Sequence, residues 1–246
     1  MKKTLVLIFL LFFIPIASAG VIKIGVKTEL KGEISAFFYN ASNGVLKMNP
    51  EFYNSGSVPY KARARLSIVN STDVIFTGWS KEETLMPGER KSFEIYWYTP
   101  STGNIVAKLR FYYGKETIER EVKSKVVNTQ TSEDVFLIKN FRTYDDSIKF
   151  QIRSTEPLKN VIVIPNNYMM GWLFEQNKIE NLDENKNTEV VIPYESSVWF
   201  SHNVTIDVVT EDGKFYSTLT FNLQKERGFE KYAHYIADRF NLLFNL

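Results

Sequence analysis

The chain has 246 residues and contains no cysteine, which excludes a disulfide framework, a thiolate zinc centre and a cysteine nucleophile together. Export without disulfides suits a bacterial or archaeal envelope better than an animal extracellular matrix. Only two histidines occur, His202 and His234. They fall in different predicted elements, and a histidine metal centre or a Ser-His-Asp triad would need partners that the sequence does not place, so both read as ordinary surface residues. Gly (12) and Pro (8) are few and sit mostly between apolar segments. The chain also lacks a surplus charge: the formal net charge is +2, and Lys2 and Lys3 account for it. Without a clustered basic footprint, nucleic acid is not an expected partner, and purely electrostatic attachment to a membrane is disfavoured.

What is present begins with a targeting segment. Lys2 and Lys3 supply a positive start, an apolar run follows from Leu5 to Ile16 broken only by Pro15, and Ala17, Ser18 and Ala19 fit an A-x-A cleavage site. The run is shorter than the about 20 apolar residues a membrane span requires. Residues 1–19 are therefore expected to be a signal peptide, with an uncleaved anchor as the alternative, and the product is expected to be secreted or held at the cell surface.

Aromatic residues make up 15% of the chain, with 13 Tyr and 19 Phe, a composition suited to pleated, half-buried segments. Apolar and polar residues alternate with the period of two that marks strands with one buried face. The pattern predicts strands at 21–30, 33–39, 45–53, 59–70, 73–79, 92–98, 104–113 and 116–127. It continues at 135–143, 147–153, 158–164, 170–178, 188–193, 203–210 and 214–223. Within 59–70, Ala62, Ala64, Leu66 and Ile68 share one face, while Lys61, Arg63, Arg65 and Ser67 share the other, as in an antiparallel sheet with a wet side. Asp212-Gly213 is the strongest hairpin signal. Past Gln224 the period changes, and Phe229, Ala233, Ile236, Phe240 and Leu243 recur at threes and fours. The sequence therefore predicts an all-β chain of two immunoglobulin-like antiparallel β-sandwiches, 20–127 and 134–224, with a linker at 128–133 and a C-terminal amphipathic helix at 225–246.

Four stretches of the first half carry a family likeness: Phe52-Tyr53-Asn54-Ser55-Gly56-Ser57-Val58-Pro59, the strand Ala62 to Val69, Gly78-Trp79-Ser80, and Met86-Pro87-Gly88-Glu89. Through them the chain resembles the CARDB and NEW3 type of immunoglobulin-like modules in archaeal and bacterial cell-surface proteins. In those modules an N-x-G turn leads into a strand, and a P-G-E/Q turn leads into an amphipathic one. The resemblance covers roughly residues 21–127 and fades over 132–224, where no P-G-E step occurs. It implies surface display with adhesion or spacing roles and no shared catalytic residues. A signal peptide followed by two sandwiches also looks like a periplasmic pilus chaperone, which works by strand donation, although only the architecture is similar.

Candidate site residues follow from these faces. Tyr96, Tyr98 and Tyr112 lie opposite the Phe93-Ile95-Trp97 face and the Phe111-Tyr113 face, and are expected either to form an exposed patch for a partner or glycan or to lie under the second domain. Sequons place glycosylation candidates at Asn40, Asn70 and Asn203, a number that chance placement also gives. Asn181 to Asn185 gathers oxygen ligands but lacks the spacing of a calcium loop. The carboxylate pairs Asp145-Asp146 and Asp183-Glu184 sit in turns and define no glycosidase site. The apolar face of the terminal helix is expected to dock on the second domain, on a partner or at the membrane interface. No cofactor and no metal is expected. The overall expectation is a non-catalytic binding, adhesion or spacing module whose partner is an envelope protein or surface glycan, with an envelope assembly chaperone as the alternative.

Overall fold

The computed structural model describes residues 28–70, 72–128, 135–166, 168, 172–196 and 201–224. The first half contains β1 (Gly32–Ser42), β2 (Val45–Asn54), β3 (Tyr60–Asn70), β4 (Asp73–Trp79), β5 (Glu83–Leu85), β6 (Arg90–Ser92), β7 (Ile95–Tyr98), β8 (Gly103–Tyr113) and β9 (Glu116–Val126). Strand β2 pairs with β1 on one side and with β6 and β7 on the other, while β3 pairs with β4 and β5 on one side and with β8, then β9, beyond it. The second half contains β10 (Phe136–Thr143), β11 (Ser147–Ser154), β12 (Leu158–Asn166), β13 (Trp172–Phe174), β14 (Asn177–Leu182), β15 (Thr188–Ser196), β16 (Ser201–Thr210) and β17 (Tyr216–Gln224). Its sheets run β10-β11-β15-β13 and β14-β12-β16-β17.

The two halves share one connectivity. In each, the first two strands join a late strand in one sheet, and the third strand joins the last two in the other, which is the crossed order of an immunoglobulin-type sandwich. Inner faces close over Phe52, Leu66, Phe93, Leu109 and Phe111 in the first half. In the second they close over Phe150, Trp172, Phe174, Val190 and Ile206. Phe52 stacks on Phe111 at 4.5 Å between ring centres, and Phe93 meets Phe111 edge-on at 5.2 Å. Each such side chain contributes about 1.5–3 kcal/mol by leaving water.

The expected C-terminal helix is not shown: the described fold is built of strands alone. Among the described residues every regular element is a strand and none is a helix. A period of threes and fours marks only an apolar stripe, whereas most helical stability comes from a surface to pack against, and both sandwiches close their cores without one. Phe229, Ala233, Ile236, Phe240 and Leu243 lie outside the described residues, as do His234, the signal segment 1–19 and most of the linker.

Two predicted strands are divided. The segment 92–98 breaks after Ser92 into β6 and β7. The segment 170–178 changes sheets, with β13 pairing β15 and β14 pairing β12, so that Glu175 and Gln176 form the crossing between the two layers.

The resemblance motifs acquire a physical meaning at Asn54, which is fully buried. Its Nδ2 donates to Val58 O at 2.9 Å and Leu85 O at 3.1 Å, and its Oδ1 accepts from Gly56 N at 3.0 Å. Its backbone N–H donates to Glu89 O at 2.9 Å, and its carbonyl accepts from Gly88 N at 2.8 Å. The N-x-G turn and the P-G-E turn are thus tied through one residue. Gly88 adopts φ +79, the conformation required after Pro87 in a type II turn.

Candidate functional site

The feature that sets this molecule apart from two sandwiches in tandem is a packed seam. Residues Val161 to Ile164 form an unbroken apolar run on β12. Val161 and Val163 enter the second core, whereas Ile162 and Ile164 join the first, together with Val209 of β16. β12 is therefore buried on both faces, which is what a continuous apolar run signifies. Opposite it lies the outer side of β7, whose four residues are all buried, and Tyr98 packs on Tyr216 at 5.1 Å.

Charged groups border the apolar contact. Lys47 of β2 reaches Glu211 at 2.6 Å and Glu94 at 3.1 Å, and Lys178 of β14 reaches Glu211 at 3.2 Å. The Tyr96 ring lies near both ammonium groups, 5.5 Å from Lys47 Nζ and 5.9 Å from Lys178 Nζ, and its hydroxyl donates to Glu94 at 3.0 Å. Burial, reinforced by Glu94 and Glu211, pushes the Tyr96 phenol well above its ordinary range. Two cations and two anions balance, and at this partial exposure each pair adds a modest amount, about 0.2–1 kcal/mol.

Gln176, at the crossing between layers, grips the open edge of β7. Its Oε1 accepts from Tyr96 N at 2.7 Å, and its Nε2 donates to Tyr96 O at 2.6 Å. Its neighbour Glu175 bridges to Trp79 and stands 3.8 Å from Arg63, which also has Glu82 at 3.8 Å and Glu195 at 3.6 Å. The expected wet side of β3 is accordingly covered at Arg63, which is 8% exposed. At a second contact the tip of the Asp212-Gly213 turn touches the β1–β2 turn, where Asn43 Nδ2 donates to Asp212 O at 3.0 Å. Gly213 has φ +69, and a Cβ there would lie 2.4 Å from Asn43 O, so both backbone and space demand glycine.

Two acids of the second half respond oppositely to pH. Burial raises the Asp207 carboxyl above its ordinary 3.8, against hydrogen bonds from Thr218 and Asn166 that lower it. Burial also acts to raise Glu211, but the hydrogen bonds from Lys47 and Lys178 outweigh it and hold that carboxyl below 4.5. The stability linked to Asp207 is full below its unfolded pKa and is lost as pH rises through the raised folded value; for Glu211 it is present above the unfolded pKa and is lost as pH falls through the lowered folded value. Asp207→Asn is therefore expected to raise the urea midpoint at pH 7 relative to the wild type, and to raise it less at pH 3. An equal or lower midpoint at pH 7 would show that the carboxylate is compensated within the fold.

Between β4–β5, the β6–β7 edge and β14 lies a cleft of about 290 Å³, lined among others by Trp79, Glu83, Glu94, Gln176, Asn177 and Lys178. Among the described residues no cluster of His, Cys, Asp or Glu has the geometry to hold a metal ion.

Of the two placements expected for the tyrosines, Tyr96 and Tyr98 take the one under the second sandwich. Tyr96 and Tyr98 are 3% and 4% exposed, because the second sandwich covers their face, while Tyr112 lies on the other sheet against Trp79 at 5.3 Å. Asn40, Asn70 and Asn203 are all exposed, and His202 lies edge-on to Trp172 at 6.5 Å. The 181–185 stretch ends β14 and turns at Asn185, with Lys186 on Asp183 at 2.9 Å. Lys47, Glu94, Gln176, Lys178 and Glu211 were not singled out by sequence; the Val161 to Ile164 run, apolar at four successive positions, is the signal that could have pointed to their neighbourhood.

The chain is thus an all-β protein of two immunoglobulin-type sandwiches joined through a packed seam. No protein-family model and no curated protein sequence matches it. Among solved structures, red sea bream transglutaminase aligns at 9% identity over 81% of this chain and 31% of its own, with a TM-score of 0.30. Salmonella alpha-2-macroglobulin aligns at 9% over 81% and 16%, with a TM-score of 0.28. Latent PorU of Porphyromonas gingivalis aligns at 10% over 84% and 21%, with a TM-score of 0.30. The chain spans less than a third of each of these three proteins.

Proposed function

We propose that the chain is an exported, non-catalytic module of the cell envelope that serves binding, adhesion or spacing as a single stiff unit. The observation that supports this reading is the seam: a strand buried on both faces, an edge gripped by Gln176 and a balanced ion cluster hold the two sandwiches in one relative placement. A spacer or adhesin profits from such stiffness, because a flexible joint would cost entropy whenever both halves engage a partner. The leader-like residues 1–19 and the CARDB-type likeness of the first half add the expectation of surface display. The partner is an envelope protein or a surface glycan.

The test is the intact mass of the native protein in the culture medium, a carbonate-washed envelope and a detergent extract, with the wash examined for co-purifying envelope components. A mass beginning near Gly20 in the medium or wash supports the reading. A protein confined to the cytoplasm with Met1 retained would overturn it.

A further inference from the structure

We propose that the cleft at the seam is a binding site for a neutral saccharide of one or two rings. Its volume of about 290 Å³ falls just below the usual range for ligand sites, about 300–1,000 Å³, as suits a small ligand, and it occurs where two sandwiches meet, a favoured place for such sites.

The lining specifies the ligand class. Trp79 is held in place by its neighbours: its ring packs against Tyr112 at 5.3 Å, and the Arg65 guanidinium lies 5.7 Å from its centre. Trp79 is partly exposed and lines the cleft, and an indole has an apolar plane suited to the C–H face of a pyranose. Asn177 is oriented by donating to Val191 O at 3.1 Å, and among the described residues its Oδ1 makes no hydrogen bond. One N–H of Gln176 holds Tyr96 O, and the other remains to donate. Amide and carboxylate oxygens accept from hydroxyl groups, and amide and ammonium groups donate to them, so the cleft provides both halves of diol recognition.

The charges argue against an ionic ligand. Glu83 is met by Lys91 at 3.2 Å, Glu94 by Lys47 at 3.1 Å and Lys178 by Glu211 at 3.2 Å. These three ions already have their counter-charge, so a uronate or a charged peptide drawn to them would have to displace one and leave it unpaired; Lys81, exposed in the lining and in no ion pair among the described residues, is the one charge left to such a ligand, and a single exposed pair adds about 1 kcal/mol at most. A neutral polyol need only share remaining lone pairs and N–H groups.

This inference draws on the envelope reading only for where the sugar would be met, and its test uses purified chain, so either can fail without the other. The ¹⁵N-labelled chain is titrated with mannobiose, cellobiose, lactose and diacetylchitobiose, with digalacturonate and trialanine as charged controls, while the Trp79 indole N–H and the Asn177 side-chain amide are followed by NMR. At least one neutral disaccharide is expected to shift both signals saturably, with a Kd of about 1 mM. Trp79→Ala is expected to weaken binding about tenfold, and Trp79→Tyr, which keeps an aromatic plane, to retain it. If Trp79→Ala does not fold, Asn177→Leu serves in its place with the same expected loss. The proposal is overturned if none of the four disaccharides shifts both signals, if a charged control binds more tightly, or if the folded Ala and Leu variants bind as the wild type does.

Discussion

Asn54→Ala is expected to lower the unfolding free energy by about 3 kcal/mol, read as a fall in the urea midpoint at unchanged slope. The side chain is fully buried and makes three hydrogen bonds, to Val58 O, Leu85 O and Gly56 N. Truncation takes the Asn54 partner from three main-chain groups and removes the tie between two turns. Each orphaned buried group costs about 1–3 kcal/mol, less whatever water recovers. Asn54→Asp should be at least as damaging, since it keeps an acceptor for Gly56 but turns a carboxylate toward two carbonyls. A loss below about 1 kcal/mol for the Ala variant would mean that the turns hold without Asn54.

Ile162→Asp is expected to cost about 4 kcal/mol or more, because an unpaired carboxylate would sit where the residue has no exposure at all. Its more telling effect should be on shape. Ile162 belongs to the first core although its strand belongs to the second sandwich, so the change attacks the joint and spares the inner face of the second half. Small-angle scattering should show a larger radius of gyration, and denaturation should separate into two steps where the wild type shows one. Wild-type scattering with a wild-type midpoint would show that the ion cluster and the Gln176 grip suffice without the apolar contact.

Much of the fold could be read from the residues, since alternation is a local property of a strand. The predicted strand 73–79 coincides with β4, and 116–127 exceeds β9 by one residue. Breaks proved harder. Apolar residues continue through 92–98, yet the pairing partner of β2 changes from β6 to β7 within it, and alternation does not report a change of partner. The same holds for 170–178, where two sheets share what reads as one strand.

The seam was less legible, for a different reason. Tyr96 and Tyr98 alternate with Ile95 and Trp97 as an outer face should, and only the arrival of another sandwich turns that face inward. Period-two patterning tells which residues share a face but not whether a face is covered from outside. The Val161 to Ile164 run holds a signal from the covering side that the strand prediction at 158–164 did not use, because a strand with water on one face has no reason to be apolar at four consecutive positions. Asn54 illustrates the converse: its N-x-G and P-G-E motifs were visible separately, while their union needed the folded distances.

The borrowed residues also bear on how the chain is made. A polypeptide emerges N-terminus first, so the first sandwich can assemble its strands while Ile162, Ile164 and Val209 are still to come. During that interval the Tyr96 and Tyr98 face stands open to water, and the β7 edge, with no Gln176 to occupy Tyr96 N and O, offers free backbone to any passing strand. A newly made chain therefore passes through a sticky stage that ends only when β16 has arrived, and the rate at which residues 99–209 follow sets how long that stage lasts.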